Sequence, residues 1–291
     1  MSPSLVFMYS GQGSQYYQMG KALFEHNRIF RSCMNELDAK ARELIGISVQ
    51  SELYRTNRNM TEPFTRTLHT HVCIFMVEYA TTMVLLENGM VPDAVIGVSM
   101  GEFAASVAAG VCSVDTALKS VVKQAQLLEK HCDVGAMLAI LDRPSLFLSD
   151  PVLYENSELV SIHNENHFIV SGRKEHMAMI EQHAKKNGIM CSKLPVTHGF
   201  HSSSIDPASD EYVAFLQKQL FLDPKIPYIS SVSGSLLSEW NTDYFWQVIR
   251  KPIQFTEGIT FLQKDDDDRI YIDVGPSGTL STLCKSMSNL K

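Results

Sequence analysis

One serine in this chain lies in a setting that favours nucleophilic chemistry. Residues 97–101 read Gly-Val-Ser-Met-Gly, between a short apolar strand over 94–97 and a small-residue helix over about 100–109. In a nucleophile elbow, such a strand and helix hold a serine in a strained turn with its hydroxyl above the end of the sheet. The helix aims its unpaired N–H groups at the same point, where negative charge would be stabilised. We therefore predict that Ser99 is a reactive nucleophile.

A serine nucleophile needs a base to take its proton, and histidine is the usual one. Ten histidines compete for that role, and most of them, His71 among them, lie on predicted helices or strands. The polar, glycine-containing segment 197–204 is the better source, because it follows directly on a predicted strand. Spacing does not choose between its two histidines, His198 and His201.

Composition describes an ordinary globular enzyme. The 291 residues are 45% hydrophobic and 20% charged, with a formal net charge of −7, which argues against nucleic acid or an anionic membrane as a partner. The apolar run 5–9 lacks a basic flank and is predicted to be a first strand rather than a signal peptide. No apolar stretch approaches the length that spans a bilayer. We expect a cytoplasmic protein.

Nothing in the sequence indicates a metal site. The six cysteines lie far apart, with no C-x-x-C pair, unlike a zinc site or a compact disulfide framework. The aspartate run 265–268 is expected to be a solvated loop, because adjacent side chains cannot all face one ion. No bound metal or cofactor is predicted.

Strands and helices alternate through the first part of the chain. Strands are predicted over 5–9 and 94–97, and helices over about 18–26, 29–45, 70–88 and 114–131. Alternation of this kind favours a parallel sheet covered by helices on both faces. The fold class is therefore α/β.

The pattern changes from about residue 134. Short strands over 137–141, 159–163, 167–171 and about 189–195, with a helix over about 174–187, describe a small split β-α-β unit of ferredoxin-like type. Strands near 228–232 and 270–274 and a helix over about 242–249 then return to larger elements. We predict a large subdomain of residues 1–133 and 197–291, a small inserted subdomain of 134–196, and a crevice between them.

Four motifs carry a resemblance to a known family. Gly-Gln-Gly-Ser-Gln at 11–15, Gly-Val-Ser-Met-Gly-Glu at 97–102, Gly-Phe-His-Ser at 199–202 and Asp-Val-Gly-Pro at 273–276 occur in this order. Together they resemble the acyltransferases of the malonyl-coenzyme A:acyl carrier protein transacylase type, over nearly the whole chain. The resemblance implies an α/β-hydrolase-like core with a ferredoxin-like insertion.

Roles follow from the resemblance, motif by motif. Ser99 matches the nucleophile and His201 the general base, with no acidic third member. A backbone carbonyl orients the histidine in this family, and by position it would come from near Val248. The backbone N–H of Gln12 and that of Met100, at the helix start, are the implied oxyanion-hole donors, each worth about 3–4 kcal/mol of barrier.

The main departure from the family concerns the acyl pocket. Malonyl-type members carry an arginine on the helix after the elbow, where this chain has Gln124. Arginine pairs with a carboxylate through two charge-assisted hydrogen bonds that a neutral glutamine cannot replace. Neighbouring Lys123 points about 100° away around the helix. A malonyl substrate is therefore disfavoured.

Other pocket positions also differ from the family. Val98 stands where histidine usually precedes the serine, and His71 replaces a glutamine near the expected pocket. Together with His198 and Phe200, which flank the base, they are expected to contact the substrate.

The whole pattern resembles the stand-alone acyl hydrolases that accompany trans-acyltransferase polyketide synthases. These proteins keep the serine and histidine, lack the arginine and remove stalled acyl groups from acyl carrier proteins. The expected partners are an acyl carrier protein with its acyl-phosphopantetheine and the polyketide synthase modules. Two alternatives stay open: an acyltransferase that loads a non-carboxylated acyl unit, and an inactive module that docks carrier proteins.

Overall fold

A computed structural model describes residues 4–264 and 268–287. Most of the aspartate run 265–268 lies outside these ranges, so its expected loop is not described. The described residues form nine strands. In chain order the strands are β1 (Leu5–Tyr9), β2 (Ala94–Gly97), β3 (Gly135–Leu141), β4 (Glu158–Asn164), β5 (His167–Arg173), β6 (Met190–Lys193), β7 (Tyr228–Ser230), β8 (Ser235–Leu236) and β9 (Ile270–Asp273).

Helices cover both sheets that these strands form. The α-helices are α1 (Lys21–His26), α2 (Arg28–Ile45), α3 (Val49–Leu53), α4 (Thr67–Glu87), α5 (Glu102–Ala108), α6 (Val114–His131), α7 (Ser145–Ser149), α8 (Pro151–Asn156), α9 (Lys174–Lys186), α10 (Ser209–Leu216), α11 (Tyr244–Arg250), α12 (Phe255–Gln263) and α13 (Thr279–Ser286). Two 3₁₀ helices, Ser99–Gly101 and Ser203–Ala208, complete the described elements.

The larger sheet has five strands in the order β8-β7-β2-β1-β9. Neighbours from β7 to β9 run parallel, and only the short β8 pairs antiparallel with β7. Successive side chains of β1 enter opposite cores: Phe7 and Tyr9 pack with the helices on one face, and Val6 and Met8 pack toward α12 and α13. The predicted parallel sheet with two covered faces is confirmed.

The smaller sheet has four antiparallel strands in the order β4-β5-β3-β6. Along the chain, its elements follow in the order β3, α7, α8, β4, β5, α9 and β6. This is the order of the ferredoxin-like unit expected from the sequence. Strands β4 and β5 form a hairpin, since Asn164 pairs with His167 across a two-residue turn. The division of the chain into two subdomains at 134 and 196 stays a prediction.

Helix α4 corrects the expectation that no stretch could span a bilayer. By length and composition alone, Thr67–Glu87 is long and apolar enough to do so. The helix is mostly buried inside the fold, as the core helix of a globular domain would be, and such a helix alone is weak evidence of membrane insertion.

Several helices are absent from the sequence-based prediction. Helix α12 was missed because Gly258, a residue that disfavours helix interiors, lies in its middle. The structure shows why glycine is there: a Cβ at this position would lie 2.7 Å from Ile96 Cδ1, so the helix packs directly on β2. Helices α10 and α13 were likewise not predicted.

Candidate active site

The turn that carries Ser99 is packed from both sides. Ser99 has a left-handed φ of 53°, a strained value for a residue with a side chain. A Cβ at Gly101 would lie 2.2 Å from the carbonyl oxygen of Tyr9, and one at Gly97 would lie 2.5 Å from Glu102 Cα. Only glycine fits at either place, so the elbow is held tightly against the end of β1.

His201 reaches the Ser99 hydroxyl from a different part of the chain. Its Nε2 lies 2.9 Å from Ser99 Oγ, and both residues are buried. The segment that carries it turns sharply, with a φ of 61° at His201. Of the two histidines that spacing could not separate, this one faces the serine.

The other ring nitrogen of His201 is bonded to the backbone. Its Nδ1 donates to the carbonyl oxygen of Lys251 at 2.7 Å, and its main-chain N–H donates to the carbonyl of Ile249 at 2.8 Å. Because a carbonyl only accepts, Nδ1 must carry the proton, which leaves the Nε2 lone pair directed at Ser99. This is the tautomer that a general base needs.

The prediction that Val248 supplies the orienting carbonyl is wrong. Val248 lies inside α11, whereas Lys251 caps the helix in an extended conformation, with φ −83° and ψ 157°. Residues before a proline are pushed into that region, and Pro252 follows here. Carbonyls at a helix end lack intrahelical partners, so those at the end of α11 are free to bind His201.

Burial lowers the pKa of His201 to about 4, although the Lys251 carbonyl opposes part of that change. The neutral, proton-accepting form should therefore persist far below the usual histidine pKa of about 6.5. We expect the rate constant for acylation of Ser99 by a small acyl thioester to stay level from about pH 8 to about pH 5 and to fall as the pH approaches 4.

A folding control must accompany that pH profile. A histidine whose pKa is lower in the folded state makes the fold lose stability as pH falls from about 6.5 towards the folded value. Circular dichroism at each pH separates unfolding from titration of the base. An acid limb centred near pH 6.5 in folded protein would contradict the neutral, buried His201.

The turn at residues 11–14 lies against the elbow. A Cβ at Gly11 would be 2.5 Å from the Val98 carbonyl oxygen and 3.4 Å from the Met100 nitrogen. Among the residues that the structure describes, the backbone N–H groups of Gln12 and Met100 have no hydrogen-bond partner. The Gln12 side chain bonds to α4, because its Nε2 donates to Thr70 Oγ1 at 2.8 Å. The two predicted oxyanion donors are thus brought together as backbone amides.

A buried carboxylic acid supports this turn. Ser10 Oγ lies 3.2 Å from Glu78 Oε1 and 2.9 Å from Ser14 Oγ, which in turn donates to the Gly11 carbonyl. Burial raises the pKa of Glu78 well above its usual value. The sequence carried no signal for this contact, because Glu78 lies on the distant helix α4.

Ser99 and His201 line a cavity of about 530 Å³ between the two sheets. Its walls are apolar or neutral, and no lysine, arginine, aspartate or glutamate lines it among the described residues. Burial lowers the pKa of each of its three histidines. Its lining residues include Gln12, Val98, His163, His167, Phe200 and Ser277.

Only part of the predicted substrate pocket lines this cavity. Val98 and Phe200 do. His71, His198 and Gln124 do not, and contact of these three with substrate stays a prediction. The histidines lie beside Phe200, whose ring centroid is 5.4 Å from that of His71 and 6.0 Å from that of His198.

His71 and His198 differ in how they are held. Burial, with a smaller contribution from His198, lowers the pKa of His71 to about 3, and neither ring nitrogen of His71 has a hydrogen-bond partner among the described residues. His198 Nδ1 lies 2.8 Å from Thr67 Oγ1. Its ring therefore bonds toward α4.

Gln124 is buried on α6. Its Nε2 donates to the Tyr212 hydroxyl at 3.2 Å, while its Oε1 has no partner in the described part of the chain. That hydroxyl in turn donates to the Ser120 carbonyl. A neutral amide thus occupies the position at which malonyl-type relatives are expected to have arginine.

His163 and His167, which the sequence did not single out as site residues, also line the cavity. His163 Nδ1 lies 3.3 Å from His167 Nδ1 across the β4–β5 hairpin, and His163 Nε2 lies 3.1 Å from Ser161 Oγ. Across residues 4–264 and 268–287, no group of three or more His, Cys, Asp or Glu side chains is arranged to hold a metal ion.

Fold and site define an α/β protein in which an elbow serine is paired with a histidine and a backbone carbonyl takes the place of an acid. Residues 6–287 match the acyl transferase domain family, and the chain belongs to that family. The resemblance predicted from the four motifs is confirmed.

Known relatives and a solved structure match this chain over almost its whole length. It is 44% identical to the polyketide biosynthesis acyltransferase homolog PksD of Bacillus subtilis (strain 168), over 99% of this chain and 88% of that protein. It is 45% identical to the corresponding homolog BaeD of Bacillus velezensis, with the same coverage. The malonyl CoA-acyl carrier protein transacylase structure from Burkholderia pseudomallei superposes with a TM-score of 0.83 at 27% identity, covering 97% of each chain.

Proposed function

We propose that this chain hydrolyses non-carboxylated acyl groups from the phosphopantetheine thioesters of acyl carrier proteins, clearing stalled chains during polyketide biosynthesis. One observation carries the proposal: the Ser99–His201 pair opens into a cavity whose described lining contains no charged side chain. An uncharged acyl chain suits such a wall, whereas a carboxylate would be buried without a partner.

The first half-reaction transfers the acyl group to the enzyme. His201 Nε2 takes the proton of Ser99 as Oγ attacks the thioester carbonyl. The N–H groups of Gln12 and Met100 hold the resulting oxyanion. When the tetrahedral intermediate collapses, the C–S bond breaks, His201 returns its proton to the pantetheine thiolate, and the thiol leaves.

The second half-reaction releases a free acid. Water attacks the acyl-Ser99 ester while His201 accepts one of its protons. The C–O bond to Ser99 then breaks, and the same proton returns to Oγ. The Lys251 carbonyl holds His201 in the correct tautomer through both steps.

Relatives and composition supply the context of the proposal. Two relatives are named polyketide biosynthesis acyltransferase homologs, which supports a carrier protein and polyketide synthase modules as partners. A cytoplasmic location is part of the same proposal. The chemistry requires only the thioester and water.

Transfer is the second candidate function, because the names of those relatives favour it. An acyltransferase that loads a non-carboxylated unit would use the same Ser99, His201 and oxyanion donors. It would differ only in the acceptor, since a second pantetheine thiol rather than water would attack the acyl-serine. An inactive docking module is the third candidate.

A two-carrier assay separates these functions. An acetyl or propionyl carrier protein is mixed with enzyme and excess free carrier protein of different mass, and every species is followed by intact-mass spectrometry. We expect free acid and unloaded donor carrier. Movement of the acyl group to the second carrier would replace hydrolysis with transfer, and no acyl adduct on Ser99 with any tested thioester would favour the docking module.

A further inference from the structure

A buried carboxylate links the elbow to the helix that orients the base. We propose that Glu102, acting through Tyr244, is a positioning residue that sets where the Lys251 carbonyl meets His201. The proposal rests on the catalytic roles proposed above for Ser99 and His201. The catalytic pair lacks an acidic third member, and Glu102 acts on it only indirectly, through Tyr244, α11 and the Lys251 carbonyl.

Glu102 begins α5 immediately after the elbow and is fully buried. Its Oε1 accepts hydrogen bonds from the Ser231 N–H at 2.8 Å, the Ser231 hydroxyl at 2.6 Å and the Tyr244 hydroxyl at 3.2 Å. Its Oε2 accepts from the Tyr228 hydroxyl. Tyr228 lies in β7, Ser231 follows directly after β7, and Tyr244 begins α11. The carboxyl group therefore ties the elbow to both β7 and α11.

Helix α11 carries this link to His201. Tyr244 is its first residue, and the carbonyls that bind the His201 backbone and ring belong to Ile249 and Lys251 at its other end. A helix of this length is a stiff rod of about 10 Å. Displacement of its Tyr244 end therefore moves the Lys251 carbonyl by a comparable amount.

A second contact fixes the distance between the two helices. The rings of Phe103 and Phe245, each next in sequence to a member of the hydrogen-bonded pair, stack with centroids 4.0 Å apart. Stacking sets the separation but allows sliding in the ring plane, whereas a hydrogen bond to a carboxylate is directional. The Tyr244–Glu102 bond therefore restrains α11 along that plane relative to the elbow, while the bond from the Tyr244 hydroxyl to Ser230 Oγ restrains it relative to β7.

The chemistry of Glu102 agrees with a positioning role. Burial raises the pKa of Glu102 to about 7, even though its hydrogen bonds from Ser231 and the tyrosines oppose that rise. A buried ion is a costly way to stabilise a fold, and apolar groups of similar volume are often as stable. What the carboxyl group supplies is several directional bonds at one point.

Two matched variants test the link. Tyr244→Phe and Tyr228→Phe each remove a phenolic hydroxyl that bonds to the Glu102 carboxyl group and keep the ring, but only Tyr244 lies on α11. The Tyr228 hydroxyl also donates to the Glu102 backbone carbonyl at 3.1 Å. The Tyr244 hydroxyl also lies 2.6 Å from Ser230 Oγ, so Ser230→Ala controls for that contact. With an excess of propionyl thioester, acylation of Ser99 is timed by quenched-flow mass spectrometry.

Tyr244→Phe is expected to lower the saturating acylation rate constant about 10- to 100-fold with little change in the half-saturating concentration, as a small misplacement of a catalytic group does. It should also shift the downfield proton signal of His201 Nδ1–H, which reports the bond to Lys251. Tyr228→Phe and Ser230→Ala should leave both readouts unchanged while changing the melting temperature.

Other results overturn the inference. Equal rate losses in Tyr244→Phe and Tyr228→Phe, or an unshifted His201 signal in Tyr244→Phe, would show that the network only stabilises the fold. If Tyr244→Phe does not fold, Glu102→Gln tests the same link by the same two readouts. A wild-type enzyme that never acylates Ser99 would instead refute the proposed function, so the two failures are distinct.

Discussion

Replacing Ser99 with alanine is expected to abolish acyl-enzyme formation and to lower thioester hydrolysis by at least about 10⁴-fold, the scale seen when a serine nucleophile is removed. The reason is local. Ser99 Oγ is the hydroxyl that His201 Nε2 faces, at 2.9 Å, and without it the base has no nucleophile to activate. Intact-mass spectrometry after incubation with propionyl carrier protein measures the adduct, and release of propionate measures turnover.

Ser277→Ala is the matched control for this loss. Ser277 lies in the wall of the same cavity and its hydroxyl is 2.6 Å from Thr279 Oγ1, so the substitution removes a neighbouring hydroxyl without touching His201. It should keep both the adduct and turnover within a few-fold of wild type. Ser99→Ala should still bind the acyl carrier protein, because the cavity is unchanged. Turnover retained by folded Ser99→Ala would remove Ser99 from the mechanism.

Motifs local in sequence predicted one side of the site well. The strand, the elbow and the helix around Ser99 follow from contiguous residues, because a tight turn between a strand and a helix needs glycines at fixed positions. The sequence alone left His198 and His201 as equal candidates for the base, and only the fold distinguishes them. His198 bonds to Thr67 on α4, while the chain turns at His201 and directs its ring to the serine.

Contacts between distant segments could not be predicted in this way. Lys251 carries no side-chain signal, since its backbone carbonyl is the functional group. Glu102 lies in the first turn of a helix, a position that favours a carboxylate whatever else it does. Its bonds to Tyr228 and Tyr244 depend on the way α11 and β7 pack around α5, which no local pattern contains.

Charge is the property that separates this cavity from one built for a dicarboxylic acyl group. A carboxylate that enters it meets no cation among the described lining residues. Gln124, which lies outside that lining, is a neutral amide bonded to Tyr212. Leaving a buried charge unpaired costs about 3–5 kcal/mol. Because each 1.4 kcal/mol is about tenfold in rate, malonyl thioesters should acylate Ser99 at least about 100-fold more slowly than propionyl thioesters.

Gln124→Arg should reverse that preference in part. Helix α6 packs against the 3₁₀ helix Ser203–Ala208 that follows His201, so a longer, cationic side chain at this position lies close to the base-bearing segment. Without substrate the new guanidinium would be buried and unpaired, which lowers stability. A malonyl group would supply its partner. We therefore expect a lower melting temperature for free Gln124→Arg, a larger thermal shift with malonyl than with propionyl thioester, and at least about tenfold more malonyl adduct on Ser99.

Lys123→Arg provides the matched control. It adds the same guanidinium one residue earlier on α6, about 100° around the helix from Gln124, and should change neither the adduct nor the thermal shift. A wild-type enzyme that takes malonyl as fast as propionyl would contradict the electrostatic argument itself. A stable Gln124→Arg with no gain in malonyl adduct would place the block in the shape of the pocket, where Val98 already lines the cavity. A gain of malonyl adduct in Gln124→Arg would indicate a missing charge, whereas no gain would indicate a missing space. Only the gain would make Gln124 the residue that excludes chains ending in a carboxylate.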